Sequence, residues 1–194
     1  MIQYIADIEQ ACIALKGLVS ESEIGLDIET TGLDPILDSI RLVQIATPLK
    51  TYVIDMYHVP TSVLNPLLTG GPIKVIHNSK FDAGFFYQAP DGVMVEPIFD
   101  TMITDQVLHH RGYARSLKDL SKEYLDIDLD KEKQTSDWGV EHLSEAQIQY
   151  AAQDADVLLP LKHIQEEQAM ELQITSVVNL ENRLVPAICW MERS

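Results

Sequence analysis

The sequence predicts an α/β domain in which a mixed β-sheet is flanked by helices. Two observations predict it. Three β-rich runs lie close together in the first half, at 24–28, 41–46 and 51–55, and a fourth short apolar run at 73–76 then alternates with helical patterns. Strands joined directly by turns pair antiparallel, whereas strands separated by a helix pair parallel, so this order calls for a sheet of mixed direction. The chain has 194 residues, which suits one such domain with a real core.

Taken in order, residues 7–18 carry helical apolar spacing through Ile8, Ala11, Cys12 and Leu15. The run at 24–28 is a short apolar strand that enters an acidic stretch, and turn signals (Asp34-Pro35 and Thr47-Pro48) bound the next two strands. A helix over 61–69 ends at Gly70-Gly71-Pro72, and the strand at 73–76 leads into a helix over 79–88. Further helices are expected over 101–110, 116–125, 144–170 and 175–192. No repeat or flexible linker interrupts the chain.

Composition narrows the function classes. Hydrophobic residues make up 46% and charged residues 23%, as in an ordinary globular protein. No apolar run reaches the roughly 20 residues needed to span a bilayer, and the N-terminus carries no basic, cleavable leader pattern. Cys12 and Cys189 form neither a disulfide framework nor a metal knuckle. The expectation is therefore a cytoplasmic protein. A formal net charge of −16 argues against gripping a long duplex by its backbone. It does not argue against an enzyme that holds a few nucleotides through bound divalent cations, which supply positive charge locally.

Three acidic pieces carry the chemistry. Asp27 and Glu29 stand at i and i+2 on a strand, so both carboxylates face one way while Ile28 faces the other. Hard carboxylate oxygens in that arrangement suit Mg²⁺ or Mn²⁺. In the second piece, Asn78 or Ser79 stands where a helix should begin, which places Asp82 one turn in. In the third, Tyr150 and Asp154 are neighbours on one helix face, and Ala151, Ala152 and Ala155 permit close packing against the sheet. Each piece has a bland structural explanation when taken alone. Together they are what a two-metal phosphodiesterase site requires, with ions roughly 3.5–4 Å apart held by several carboxylates.

Asp27-x-Glu29-Thr-Thr-Gly, Asn78-x3-Asp82 and Tyr150-x3-Asp154 resemble, in order, the three motifs of the DEDD exonuclease superfamily. Tyr150 points to its tyrosine branch, which includes ribonuclease D-like enzymes and the proofreading domains of family A DNA polymerases. The stretches at 41–46, 99–102, 116–120 and 136–138 support the resemblance. It implies a ribonuclease H-like fold with a mixed five-stranded sheet, and a 3'-5' exonuclease releasing nucleoside 5'-monophosphates. It also implies two divalent ions, Mg²⁺ or Mn²⁺, held by Asp27, Glu29, Asp82 and Asp154, with Tyr150 orienting the attacking water. Thr30, Thr31, Leu33, Asn78 and Phe81 would then bind the substrate's 3' end. Lys131 and Lys133 are candidates for phosphate contacts.

Within that resemblance, single-stranded DNA is the favoured substrate and RNA the alternative; a catalytically inactive nucleic-acid-binding domain is a further alternative. Ribonuclease D-like enzymes commonly carry Arg-Pro-Leu after the Asp-Trp pair, whereas Asp137-Trp138 is followed here by Gly-Val-Glu-His-Leu. Residues 175–194 resemble the helix that connects such a domain (1–174) to a polymerase domain, so a polymerase in cis or in trans is an expected partner.

Overall fold

The computed structural model describes residues 1–129 and 136–193, so Lys131 and Lys133 lie outside the described residues. Its sheet has six strands: β1 (Ile2–Ile5), β2 (Glu23–Thr30), β3 (Ile40–Ala46), β4 (Thr51–Asp55), β5 (Ile73–Ile76) and β6 (Ile98–Asp100). They run in the order β1-β4-β3-β2-β5-β6. The pairs β2–β3 and β3–β4 are antiparallel, and β1–β4, β2–β5 and β5–β6 are parallel. The mixed α/β sheet is as expected, with six strands where five were expected. β1 and β6 had no periodic signal in the sequence, being four and three residues long.

The helices are α1 (Ile8–Leu18), α2 (Asn65–Leu68, after a 3-10 turn at Thr61–Leu64), α3 (Ser79–Gln88), α4 (Thr101–His109), α5 (Leu117–Leu125), α6 (Glu145–Asp156), α7 (Leu158–Glu171) and α8 (Thr175–Arg193). The single helix expected over 144–170 is two, broken at Val157. Pro160 explains the break: without an N–H it cannot bond the carbonyl of Asp156, and its ring crowds that group. No helix among the described residues is long and apolar enough to cross a membrane.

Alternation along β2 sets the two faces of the sheet. Ile24, Leu26 and Ile28 point into a large core shared with Leu15 of α1, Phe85 and Phe86 of α3, and Val185 and Cys189 of α8. Gly25, Asp27 and Glu29 point to the other face, which α6 and α7 cover. There Leu42, Val53, Trp138, Tyr150, Ala151 and Ala152 form one apolar cluster, and Val75, Phe99, Leu158 and Leu159 belong to another. Gly25 lets α6 sit close: a Cβ there would lie 2.6 Å from the Ala155 carbonyl oxygen. That contact fixes the height of α6 over β2, two residues from Asp27.

Asp100, fully buried, pins the other elements around the site. Its carboxylate accepts from the amides of Met102 (2.8 Å) and Ile103 (3.2 Å) at the start of α4. It also accepts from Asn78 N (3.3 Å), Ser79 N (2.7 Å) and Ser79 Oγ (2.6 Å) at the start of α3. One carboxylate thus caps two helices. Asn78 does occupy the cap position of α3, but in a left-handed conformation (φ 61°) and with no capping bond from its own side chain.

Candidate active site

Three elements converge where β2 ends. Asp27 and Glu29 come from β2, Asp82 from the first turn of α3, and Tyr150 and Asp154 from α6. The α6 helix is started by a capping box in which Ser144 and Gln147 serve each other's backbone amides. All five side chains line a cleft of about 420 Å³, together with Thr30, Thr31, Leu33, His77, Asn78, Phe81, Ser136 and Trp138. Phe81 has two roles here, lining the cleft and packing against Phe85 with ring centroids 5.0 Å apart. Apart from Lys131 and Lys133, which lie outside the described residues, every residue singled out for substrate or metal therefore borders one space.

The electrostatics of that space are unusual for a folded protein. Burial raises the pKa of Asp27 well above the usual carboxylate range, and the Asp154 charge adds to the rise. Glu29 is pushed up to about 10, by burial first and then by Asp27, Asp154 and Asp82. Asp82 is raised by burial and by Asp27, although the Ile28 amide pulls the other way. Tyr150 is also raised, chiefly by burial and then by Asp154 and Glu29, and it hydrogen-bonds Asp154. These acids lift one another because, among the described residues, no cationic side chain stands between them to offset the repulsion.

Such a donor set fits divalent metal ions. Asp82 Oδ1 is buried and has no hydrogen-bond partner, so an acceptor is left over that only a cation or a donor from outside would satisfy. The ligands are all oxygen, which is the preference of Mg²⁺ and Mn²⁺. Among the described residues no three of these side chains are already closed around one point as a finished cage.

A second lobe, of about 390 Å³, shares Asp27, His77, Asn78, Tyr150 and Asp154 with the first and extends past them to Met102, Arg115, Ser116, Leu117, Lys118 and Leu129. His77 borders both lobes and lies 3.0 Å from Thr101 Oγ1 and from the Arg115 carbonyl oxygen. Arg115 is anchored by Glu123 at 2.5 Å, with Asp105 at 3.6 Å. Lys118 pairs with Asp128 at 2.9 Å, an exposed contact that a phosphate could replace. Sequence reasoning gave no role to Arg115 or Lys118. Lys118 lies within the 116–120 stretch that supports the resemblance, and Arg115 just before the helix expected over 116–125, but neither position carries a local mark of contact with the cleft.

Fold and carboxylate cluster together define a nuclease-type architecture, and comparison with known proteins agrees. The family model described as 3'-5' exonuclease matches residues 1–169. DNA polymerase I of Aquifex aeolicus is 41% identical over 161 residues, 82% of this chain and 26% of that protein. Ribonuclease D of Pseudomonas paraeruginosa is 31% identical over 162 residues, 81% of this chain and 42% of that one. Among solved structures, Brucella melitensis NrnC with bound Mg²⁺ superposes with a TM-score of 0.81 at 25% identity, covering 98% of this chain and 90% of that one. The chain belongs to the 3'-5' exonuclease family of the DEDD type, enzymes that work with two divalent metal ions. It spans well under half the length of these two curated relatives.

Proposed function

We propose that this chain is a 3'-5' exonuclease domain that removes nucleoside 5'-monophosphates from the 3' end of single-stranded DNA. The observation that carries the reading is the meeting of four carboxylates and Tyr150, from three elements, in one cleft whose charges no other described residue offsets. Bound there, two divalent ions would activate water and stabilise the leaving 3' oxygen. Asp27, Glu29 and Asp154 would hold one ion, and Asp27 with Asp82 the other. Tyr150, raised and bonded to Asp154, keeps its phenolic proton near neutral pH, so it orients the attacking water and does not deprotonate it. Thr30, Thr31, Leu33, Asn78 and Phe81 border the cleft where the terminal nucleotide would lie.

The preference for DNA is supported by the higher identity to DNA polymerase I than to ribonuclease D. A second reading, a short oligonucleotide with RNA included, is favoured by NrnC of Brucella melitensis, whose structure has been solved bound to pGG. A polymerase domain in cis or in trans fits residues 175–194 as a connector. One face of α8 is packed into the domain through Val178, Asn182, Val185 and Cys189, while Val177, Leu180, Leu184 and Met191 are turned outward.

Matched 5'-labelled DNA and RNA strands, incubated with Mg²⁺ or Mn²⁺, test both readings. Stepwise shortening from the 3' end with release of 5'-monophosphates is expected, faster on DNA. Faster turnover of RNA would transfer the assignment to RNA trimming. No turnover of either strand with Mn²⁺, in wild type as in Asp27→Ala, would leave a binding domain without activity.

A further inference from the structure

Gln44 lies at the centre of β3 and is completely buried, yet among the described residues neither its Oε1 nor its Nε2 has a hydrogen-bond partner. Leaving a buried amide unpaired costs roughly 1–3 kcal/mol on protein scales, so its surroundings must explain it. In the β2–β3 register Gln44 stands directly opposite Asp27, and in the β3–β4 register directly opposite Val53. Side chains paired in this way share a face, with Cβ atoms about 4.5–5.5 Å apart. Along its own strand, Leu42 and Ala46 flank it on that face. From above, α6 closes the space with Ala151, Ala152 and Ala155, all buried. Of the residues directly opposite or flanking Gln44 on this face, only Asp27 is polar; of the diagonal neighbours, Thr51 and Asp55 are already bonded to Asp156 and to Arg41 and Tyr4.

We propose that Gln44 is a positioning residue for the metal cradle: its amide nitrogen donates to the Asp27 carboxylate, directly or through one buried water, and sets the direction in which Asp27 presents its oxygens. The inference rests on the exonuclease reading above. An ionised Asp27 is an acceptor only and gains from a fixed donor behind it. Outer partners of this kind orient metal ligands, and losing one typically weakens metal affinity or activity by about 10–100-fold. A purely packing role predicts a different side chain. The pocket is lined by alanine, leucine and valine, and an apolar residue of similar length would fill it without two orphaned polar atoms.

Gln44→Met, which keeps the length and removes both polar atoms, separates the two roles, with Gln44→Leu as a second variant should Met pack badly. Three quantities are measured: the Tm of the metal-free protein, Mn²⁺ affinity by calorimetry without nucleic acid, and kcat and KM on the oligonucleotide that wild type degrades. The expected result is a metal-free Tm equal to or above wild type, Mn²⁺ binding weakened by about 10–100-fold, and lower kcat with KM within about twofold. Unchanged Mn²⁺ affinity and kcat in a stably folded variant would overturn the proposal. So would a fall in metal-free Tm parallel to the loss of metal in both variants, which would assign Gln44 to packing. If wild type itself binds no Mn²⁺ and degrades nothing, the exonuclease reading fails first, and the two failures remain distinguishable.

Discussion

Two groups of buried acid sit within a few residues of each other and are treated in opposite ways. Asp100 is surrounded by donors: backbone amides from the starts of α3 and α4 and the Ser79 hydroxyl all point at its carboxylate. Asp27, Glu29 and Asp82 face one another instead, and Asp82 keeps an oxygen with no partner at all. Asp82 is as buried as Asp100, so burial does not tell those two apart, and Asp27 and Glu29 are half-buried at the cleft. What differs is whether the chain supplies the counter-charge. Where the described residues do, the acid holds the fold together; where they do not, the acid is left for a cation to satisfy. The first kind stabilises the native state, and the second destabilises it until a cation arrives.

Exchanging the charge in each group gives the largest expected effects, and they should be opposite in kind. Asp27→Asn removes one repelled charge while keeping the shape. It should lower kcat on the order of a thousandfold or more and raise the Tm of the metal-free protein. Asp100→Ala strips two helix starts of their acceptor at once. With caps worth about 1 kcal/mol each, up to ~2, and buried amides left unpaired, it should destabilise by roughly 2–4 kcal/mol while the folded fraction keeps Mn²⁺ binding. Denaturant melts paired with single-turnover rates check both. If Asp27→Asn were the more destabilising of the two, the contrast between the acids would be wrong.

A geometric disturbance should have a smaller effect. In Gly25→Ala the new Cβ meets the Ala155 carbonyl and pushes α6 away from β2, carrying Tyr150 and Asp154 with it. A misplacement of about 1 Å can cost on the order of a hundredfold in rate, and crowding a packed core costs about 1–3 kcal/mol. Activity should therefore fall well beyond what the stability change explains. A variant that loses stability but retains full kcat would show that the height of α6 does not set the site.

The same contrast explains how far the sequence could be read. Asp27, Glu29, Asp82, Tyr150 and Asp154 were legible because strand and helix periodicity fixes which way side chains point, and because their order resembles a known set of motifs. Most strands and helices were legible for the same reason. The role of Asp100 was not, since it caps α3 from 21 residues downstream of Ser79 and leaves no local signature there. Nor was the isolation of Gln44, which depends on register between strands and on a helix more than a hundred residues later. The break at Val157 could have been read from Pro160, but helical apolar spacing on both sides concealed it. Arg115 and Lys118 reach the cleft only because the 110–117 connection folds back beside His77.

The last expected effect is a linkage between pH and metal. Glu29 has its usual pKa near 4.5 when unfolded and about 10 in the folded, metal-free site, because burial and three neighbouring carboxylates disfavour its charge. Between those values the folded state binds more protons than the unfolded one, so stability is fully present below the lower pKa and is lost as pH rises toward the upper. Asp27 and Asp82 are shifted in the same direction and add to the trend. Glu23 and Asp55 are shifted down, so their contributions change only at more acidic pH. The Tm of metal-free protein should thus decline from pH 5 to pH 9, by roughly 2–4 °C for each kcal/mol lost in a domain of this size. Saturating Mn²⁺ competes with those protons and stabilises the charged cradle, so the Tm gained on adding metal should widen across the same range. A metal-free Tm that stayed level or rose, in Asp27→Asn as in wild type, would mean that the four acids do not share one uncompensated space.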